Sequence, residues 1–199
     1  MRPVERTAAS FISWLGGGVQ PSNRGKRGMF CDASPIWTFL EKLGATEDPE
    51  QARTAASGLH LIEVFPALAL PSLNSCFFGR LAAPRYNPQR RKTFSLQDWR
   101  EVARVTADGF QVLSLFSPAD WCREAAELKT PRKADQDRLD AMLCLLIALQ
   151  WRRSPRSELI MLGSLEEGYM VSPASAEARL RIGEAARRTG IRVDGARVR

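Results

Sequence analysis

Residues 58–66, GLHLIEVFP, form an apolar run closed by Gly58 and Pro66 and rich in β-branched side chains. The run is too short for an independent helix, so it predicts a buried strand. Successive side chains of a strand alternate between faces. Leu61, Glu63 and Phe65 therefore share one face, and His60, Ile62 and Val64 the other. That sets Glu63 in apolar company near the C-terminal end of the strand, where an ionised carboxylate without a partner is expensive. Two kinds of partner meet the need: an arginine, of which the chain has many, or a metal cation.

Upstream of this run, Val4, Ala8, Phe11, Ile12 and Leu15 recur at helical spacing until Gly16-Gly17-Gly18, predicting a first helix over 3–15. Residues 18–34 are rich in Gly, Pro, Ser and Asn and read as a loop. A second helix opens at Ser34-Pro35 and stops at Gly44. A polar connection then leads to the strand. Neither Gly16-Gly17-Gly18 nor Gly25-Lys26-Arg27-Gly28 is a phosphate loop, because the preceding strand and the G-K-[ST] ending are absent.

Downstream, residues 67–75 predict a helix or turn, and Arg80 to Thr93 a basic segment containing prolines. Ser95-Leu96-Gln97-Asp98 opens a helix in the manner of a capping box, and another starts at Ser117-Pro118. The clearest helix runs from about Ala134 to Trp151, polar in its first turn and apolar nearly all round afterwards, which implies burial on several sides. ELIMLG and GYMVSP then read as two short strands, a hairpin or neighbours, followed by an Arg-rich helix from Ser175 and a polar tail. These pieces make an α/β domain spanning 1–199, with the Arg-rich helix and tail beginning near 174.

Composition narrows the function. No apolar run reaches the roughly 18 to 20 residues that cross a bilayer, and MRPVERTAASF lacks a secretory core, so a cytoplasmic protein is expected. Cys31, Cys76, Cys122 and Cys144 are scattered without metal-ligand spacing and read as reduced, mostly packed thiols. The single histidine, His60, lies inside the apolar run, which argues against Ser-His-Asp or Cys-His chemistry. Twenty-nine Lys and Arg against 22 Asp and Glu give a net charge of +7, which favours an acidic partner such as nucleic acid.

Asp137 and Asp140 stand three apart and project from one side of the long helix. Aspartates in a first turn also complement the helix dipole and cap amides, so a structural role stays open. Together with Glu63 they form a set that one divalent cation would neutralise, and Mg2+ (or Mn2+) suits few carboxylates completed by a phosphate oxygen. Arg80, Arg85, Arg90, Arg91 and Lys92, interleaved with Phe77, Phe78, Tyr86 and Phe94, form the densest basic and aromatic segment. It could hold phosphates and stack a base, as single-strand binders do; the alternative is a solvated loop whose aromatics turn into the core. The seven arginines from Arg179 onward lack aromatic company and read as a solvated face.

The ordered set Ile62-Glu63-Val64-Phe65-Pro66, Arg85-Tyr86-Asn87-Pro88, Asp137-Arg138-Leu139-Asp140-Ala141 and Glu166 to Pro173 resembles the domain of unknown function 429 family of predicted ribonuclease H-like nucleases. The resemblance implies a central mixed sheet flanked by helices. It also implies a metal-dependent nuclease in which Glu63, Asp137 and Asp140 are the catalytic metal ligands; the basic and aromatic segment makes Arg85, Tyr86, Arg90, Arg91 and Lys92 the expected substrate contacts. Such folds open with a three-stranded meander whose first strand carries another catalytic Asp, and nothing before Met1-Arg2-Pro3 can be that strand. The expectation is a family member lacking that meander, through a late start, a truncated gene, or a sheet completed by a second copy or a partner strand. Ala67 stands where many members have a further acid. Two other readings follow: a catalytically inactive nucleic-acid-binding or scaffold relative, and a small-molecule phosphohydrolase.

Overall fold

The computed structural model describes residues 2–19, 31 and 33–197. In chain order it contains α1 (Pro3–Trp14), α2 (Pro35–Leu43), α3 (Pro49–Thr54), α4 (Pro66–Leu73), α5 (Leu96–Val112), α6 (Phe116–Ala126) and α7 (Lys133–Arg153). The hairpin strands β1 (Leu159–Ser164) and β2 (Gly168–Pro173), helix α8 (Ala176–Thr189) and the two-residue strands β3 (Arg192–Val193) and β4 (Ala196–Arg197) follow. Each of α1 to α4 carries proline in its first turn, where the fixed φ suits a helix and the missing N–H is no loss. Ser34, Asp48, Ser95 and Ser175 cap their helices by accepting backbone amides. The helix α3 lies in the stretch expected to be a polar connection, and Asp48-Pro49 is its local signal. Most of the loop expected over 18–34, including Gly25-Lys26-Arg27-Gly28, lies outside the described residues.

The strands order as β2-β1-β3-β4 and pair antiparallel throughout, with β1 and β2 in register from Leu159 opposite Pro173 to Ser164 opposite Gly168. Both faces of the hairpin are covered. Ile160, Leu162 and Met170 pack with Val4, Phe11 and Ile12 of α1 and Ile182 of α8. Leu159, Met161, Tyr169 and Val171 pack with Trp151 at the end of α7. A separate helical core joins Trp99, Val102 and Ala103 of α5 to Ala125 and Ala126 of α6 and to Leu139 and Leu143 of α7. At Gly109 a Cβ would stand 2.6 Å from Leu146 Cδ2, so the close approach of α5 and α7 depends on that glycine. The long helix buries one stripe, Gln136, Leu139, Leu143, Leu146, Ile147 and Trp151, and leaves Leu145 exposed. The apolar circumference expected from its sequence is thus only partly covered.

The architecture is α/β, but the expected buried strand at 58–66 is corrected. The segment is half-buried and makes only two isolated parallel bridges, Thr46 with His60 and Val64 with Val171. The Leu61 amide donates to the Thr46 carbonyl at 2.9 Å, and the Glu63 carbonyl accepts from the Val171 amide at 2.9 Å. These partners come from two different parts of the chain, so no continuous ladder forms, and Pro66 turns the backbone into α4 at once. The expected alternation is present: Phe65 packs on the α1 side, while Ile62 and Val64 pack beside Trp151. Instead of a central mixed sheet there is a small antiparallel one, with parallel pairing confined to those bridges.

The tail, expected to be merely polar, is held as β3 and β4. Asp194 accepts from the Met161 amide at 2.8 Å and from Arg156 and Arg179, both at 2.6 Å. Of the four thiols Cys122 is buried and Cys76 is exposed, so packing does not describe all of them. Among the described residues no helix is long and apolar enough to cross a membrane.

Candidate functional site

Where α1 ends, Gly16 takes φ 82° and lets the 79–83 segment close against it: a Cβ there would stand 2.9 Å from Leu81 Cα. The Leu81 and Ala83 amides donate to the Trp14 and Leu15 carbonyls at 3.1 and 2.7 Å. The following loop is tied to the start of α5. The Arg85 amide donates to Asp98 Oδ2 at 2.6 Å, and the Ser95 amide to the Arg85 carbonyl at 2.8 Å. Asp98 is also the acid of the expected capping box, where Ser95 Oγ donates to Oδ1 at 3.0 Å. Between this loop, the end of α1, the start of α4 and α7 lies a cavity of about 420 Å³. Phe65, Leu70, Pro71 and Phe77 line it on one side; Arg85, Asn87 and Arg90 belong to its loop side.

Asp140 and Gln136 of α7 and Tyr86 of the loop complete the lining. Tyr86 Oη donates to Asp140 Oδ1 and Gln136 Nε2 to Asp140 Oδ2, each at 2.8 Å. Gln136 stands one turn before Asp140 on the same helix face. Burial pushes the Asp140 carboxyl above its ordinary range; hydrogen bonds from Tyr86 and Gln136 and the Lys133 charge pull the other way. Burial, followed by the Asp140 charge, raises the Tyr86 phenol well above its usual value. The raised phenol keeps Tyr86 the hydrogen-bond donor to Asp140.

The three acids expected to share a metal are answered separately. Glu63 receives Arg2 at both oxygens, through Nη1 at 2.7 Å and through Nη2, while Arg2 Nε donates to Glu5 Oε1 at 3.0 Å. This is the arginine partner that the strand pattern left open. Asp137 is exposed and paired with Lys133 one turn earlier. The first-turn role expected for the aspartate pair falls instead to Asp135, which accepts from the Arg132 amide at 2.8 Å, because the helix starts at Lys133. Among the described residues no group of three or more His, Cys, Asp and Glu is placed to hold a metal. As arranged, the three acids do not form a Mg2+ or Mn2+ site: Glu63 is held by Arg2, Asp137 by Lys133, and Asp140 alone lines the cavity.

Arg85, Arg90, Arg91 and Lys92 are exposed, and none has a carboxylate partner among the described residues. Arg85 and Arg90 line the cavity, Lys92 faces a hollow beside it with Arg85, and Arg91 lines neither. The aromatics mostly turn inward: Phe77 is buried, Tyr86 and Phe94 pack against the α5 core, and Phe78 meets Trp14. Sequence reasoning missed Gln136 as a partner of Asp140, although its spacing was a usable signal. It also treated Gly16-Gly17-Gly18 only as a helix stop, whereas those glycines line the cavity. No family model, curated protein or solved structure matches this chain.

Proposed function

We propose that this protein binds single-stranded nucleic acid, with Arg85, Arg90, Arg91 and Lys92 on the phosphates and the cavity beside Tyr86 and Asp140 at the centre of the contact. The observation that carries this reading is the set of four exposed cations in one loop, none in an ion pair among the described residues. Four other arginines work within the fold: Arg53 and Arg152 donate to backbone carbonyls around the α3–α7 contact, and Arg156 and Arg179 hold Asp194. A flexible strand can bring phosphates to unpaired cations at little cost, and counterion release supplies the affinity. We read the architecture as a ribonuclease H-like one, supported by the order of the sequence motifs from Glu63 to Pro173.

The test is anisotropy of a labelled single-stranded oligonucleotide titrated with protein at several salt concentrations. Replacing the four cations by Gln should flatten the dependence of log affinity on log salt by roughly 0.7 for each phosphate contact removed. An unchanged slope overturns the reading.

A second reading, metal-dependent phosphodiester cleavage, has Asp140 beside Arg85 and Arg90 in the cavity for it and would need the other acids to leave their present partners. It requires cleavage of a single strand on adding Mg2+ or Mn2+, abolished by Asp140→Asn. Intact substrate after prolonged incubation with either metal removes it.

A further inference from the structure

Asp140 carries one feature that phosphate binding does not use. Tyr86 Oη occupies one acceptor position on Oδ1 and Gln136 Nε2 one on Oδ2. An ionised carboxylate offers about four such positions, so each oxygen keeps one. The residue is only partly buried and lines the cavity, so an occupant has access to it. A carboxylate at the wall of this cavity, hydrogen-bonded by two neutral donors and in no ion pair among the described residues, suits a ligand with two adjacent N–H donors.

We propose that the cavity takes one guanine base of a bound single strand, the Asp140 carboxylate accepting from its N1–H and N2–H groups. Resting on the nucleic-acid reading above, this adds which base enters and how it is selected. Among the common bases, guanine alone presents two neighbouring donors on its Watson–Crick edge. Adenine and cytosine set a ring-nitrogen acceptor beside their amino group, and thymine and uracil flank a single N–H with carbonyls, so each aims a lone pair at an Asp140 oxygen. Phe65, Phe77 and Pro71 supply apolar surface for the faces of the ring. About 420 Å³ lies within the range of roughly 300–1,000 Å³ typical of small-ligand sites. Arg85 and Arg90, lining the same cavity, hold the phosphates on either side of the inserted nucleotide.

The experiment compares four short labelled oligonucleotides, all thymidine except for one central guanine, inosine, adenine or thymine, in anisotropy titrations at one salt concentration. Guanine should tighten binding by roughly tenfold over thymine. Inosine, which keeps N1–H but lacks the N2 amino group, should lose most of that gain. This arm needs no altered protein, so misfolding cannot imitate it. Asp140→Asn, which exchanges one acceptor for a donor, should bring the ratio of guanine-strand to thymine-strand affinity close to one. Inosine equal to guanine, or adenine tighter than guanine, overturns the proposal. Equal binding of all four, weakened alike by neutralising Arg85 and Arg90, overturns the base pocket and leaves phosphate binding standing. No binding of any strand at low salt overturns both.

Discussion

Glu63 and Asp140 are both partly buried carboxylates, yet the fold answers them with different chemistry. Glu63 sits on an extended segment at the edge of a small sheet and meets the guanidinium of Arg2, which also holds Glu5 and so ties the start of α1 to that edge. Asp140 sits on the longest helix, backed by Leu139 and Leu143, and meets two neutral donors. A cation cancels a carboxylate's charge and fills its acceptor positions. Hydroxyl and amide donors orient the carboxylate and leave its charge in place. The first arrangement fastens two parts of the chain together; the second preserves an acceptor in a cavity. The exposure of each region to mutation should differ accordingly.

The largest effect is expected at the backing of Asp140. Leu143 is fully buried one turn after it, and Leu143→Ala should lower unfolding free energy in urea by about 2–5 kcal/mol. A loss under 1 kcal/mol would show that the helical core tolerates a void and cannot be what keeps Asp140 in place. Next comes Tyr86→Phe, which removes the donor on Asp140 Oδ1 and should cost about 1–3 kcal/mol at neutral pH. Its pH dependence carries the sharper information. Because burial raises the folded pKa of Asp140, the folded chain holds that proton more tightly than the unfolded one. The associated stability is present below the unfolded value of about 3.9 and is lost as pH rises through the folded value. Tyr86→Phe should raise the folded value further, so its melting temperature should fall short of the parent's by more at neutral pH than near about pH 4. A constant deficit across that range would mean that Tyr86 acts by packing alone.

On the other side of the comparison, Glu63→Gln should cost about 0.5–1 kcal/mol in thermal melts and leave nucleic-acid affinity unchanged, since the pair with Arg2 is partly open to solvent. A collapse of binding in that variant would join the two regions that the structure keeps apart. The smallest effect is expected from Lys133→Ala, which frees the exposed Asp137: under about 0.5 kcal/mol in urea. A larger loss would give Asp137 a role that its exposure does not suggest.

Much of the helical part was legible because its signals are local. Proline in the first turn, Ser or Asp at the cap and glycine after the last turn each act within about one turn of helix, and α1, α2, α5 and α8 start or stop where those residues stand. The missed α3 obeys the same rule at Asp48-Pro49. Reading 58–66 by period two sorted its side chains correctly but overstated its pairing, since alternation reports which face is buried and says nothing of whether a neighbouring strand is long enough to form a ladder.

The candidate site divides along the same line. Chain chemistry alone is enough to single out Asp140 and the cations from Arg85 to Lys92, because acids and bases at those spacings are visible without coordinates, and the Gln136–Asp140 contact is a neighbour relation of one helix. Which partner each acid takes is another matter. Arg2 reaches Glu63 across 61 positions and Tyr86 reaches Asp140 across 54. Contacts at such separations are set by how α1, the 79–95 loop and α7 pack, and a carboxylate's function depends on whether that packing brings it a cation or a hydroxyl.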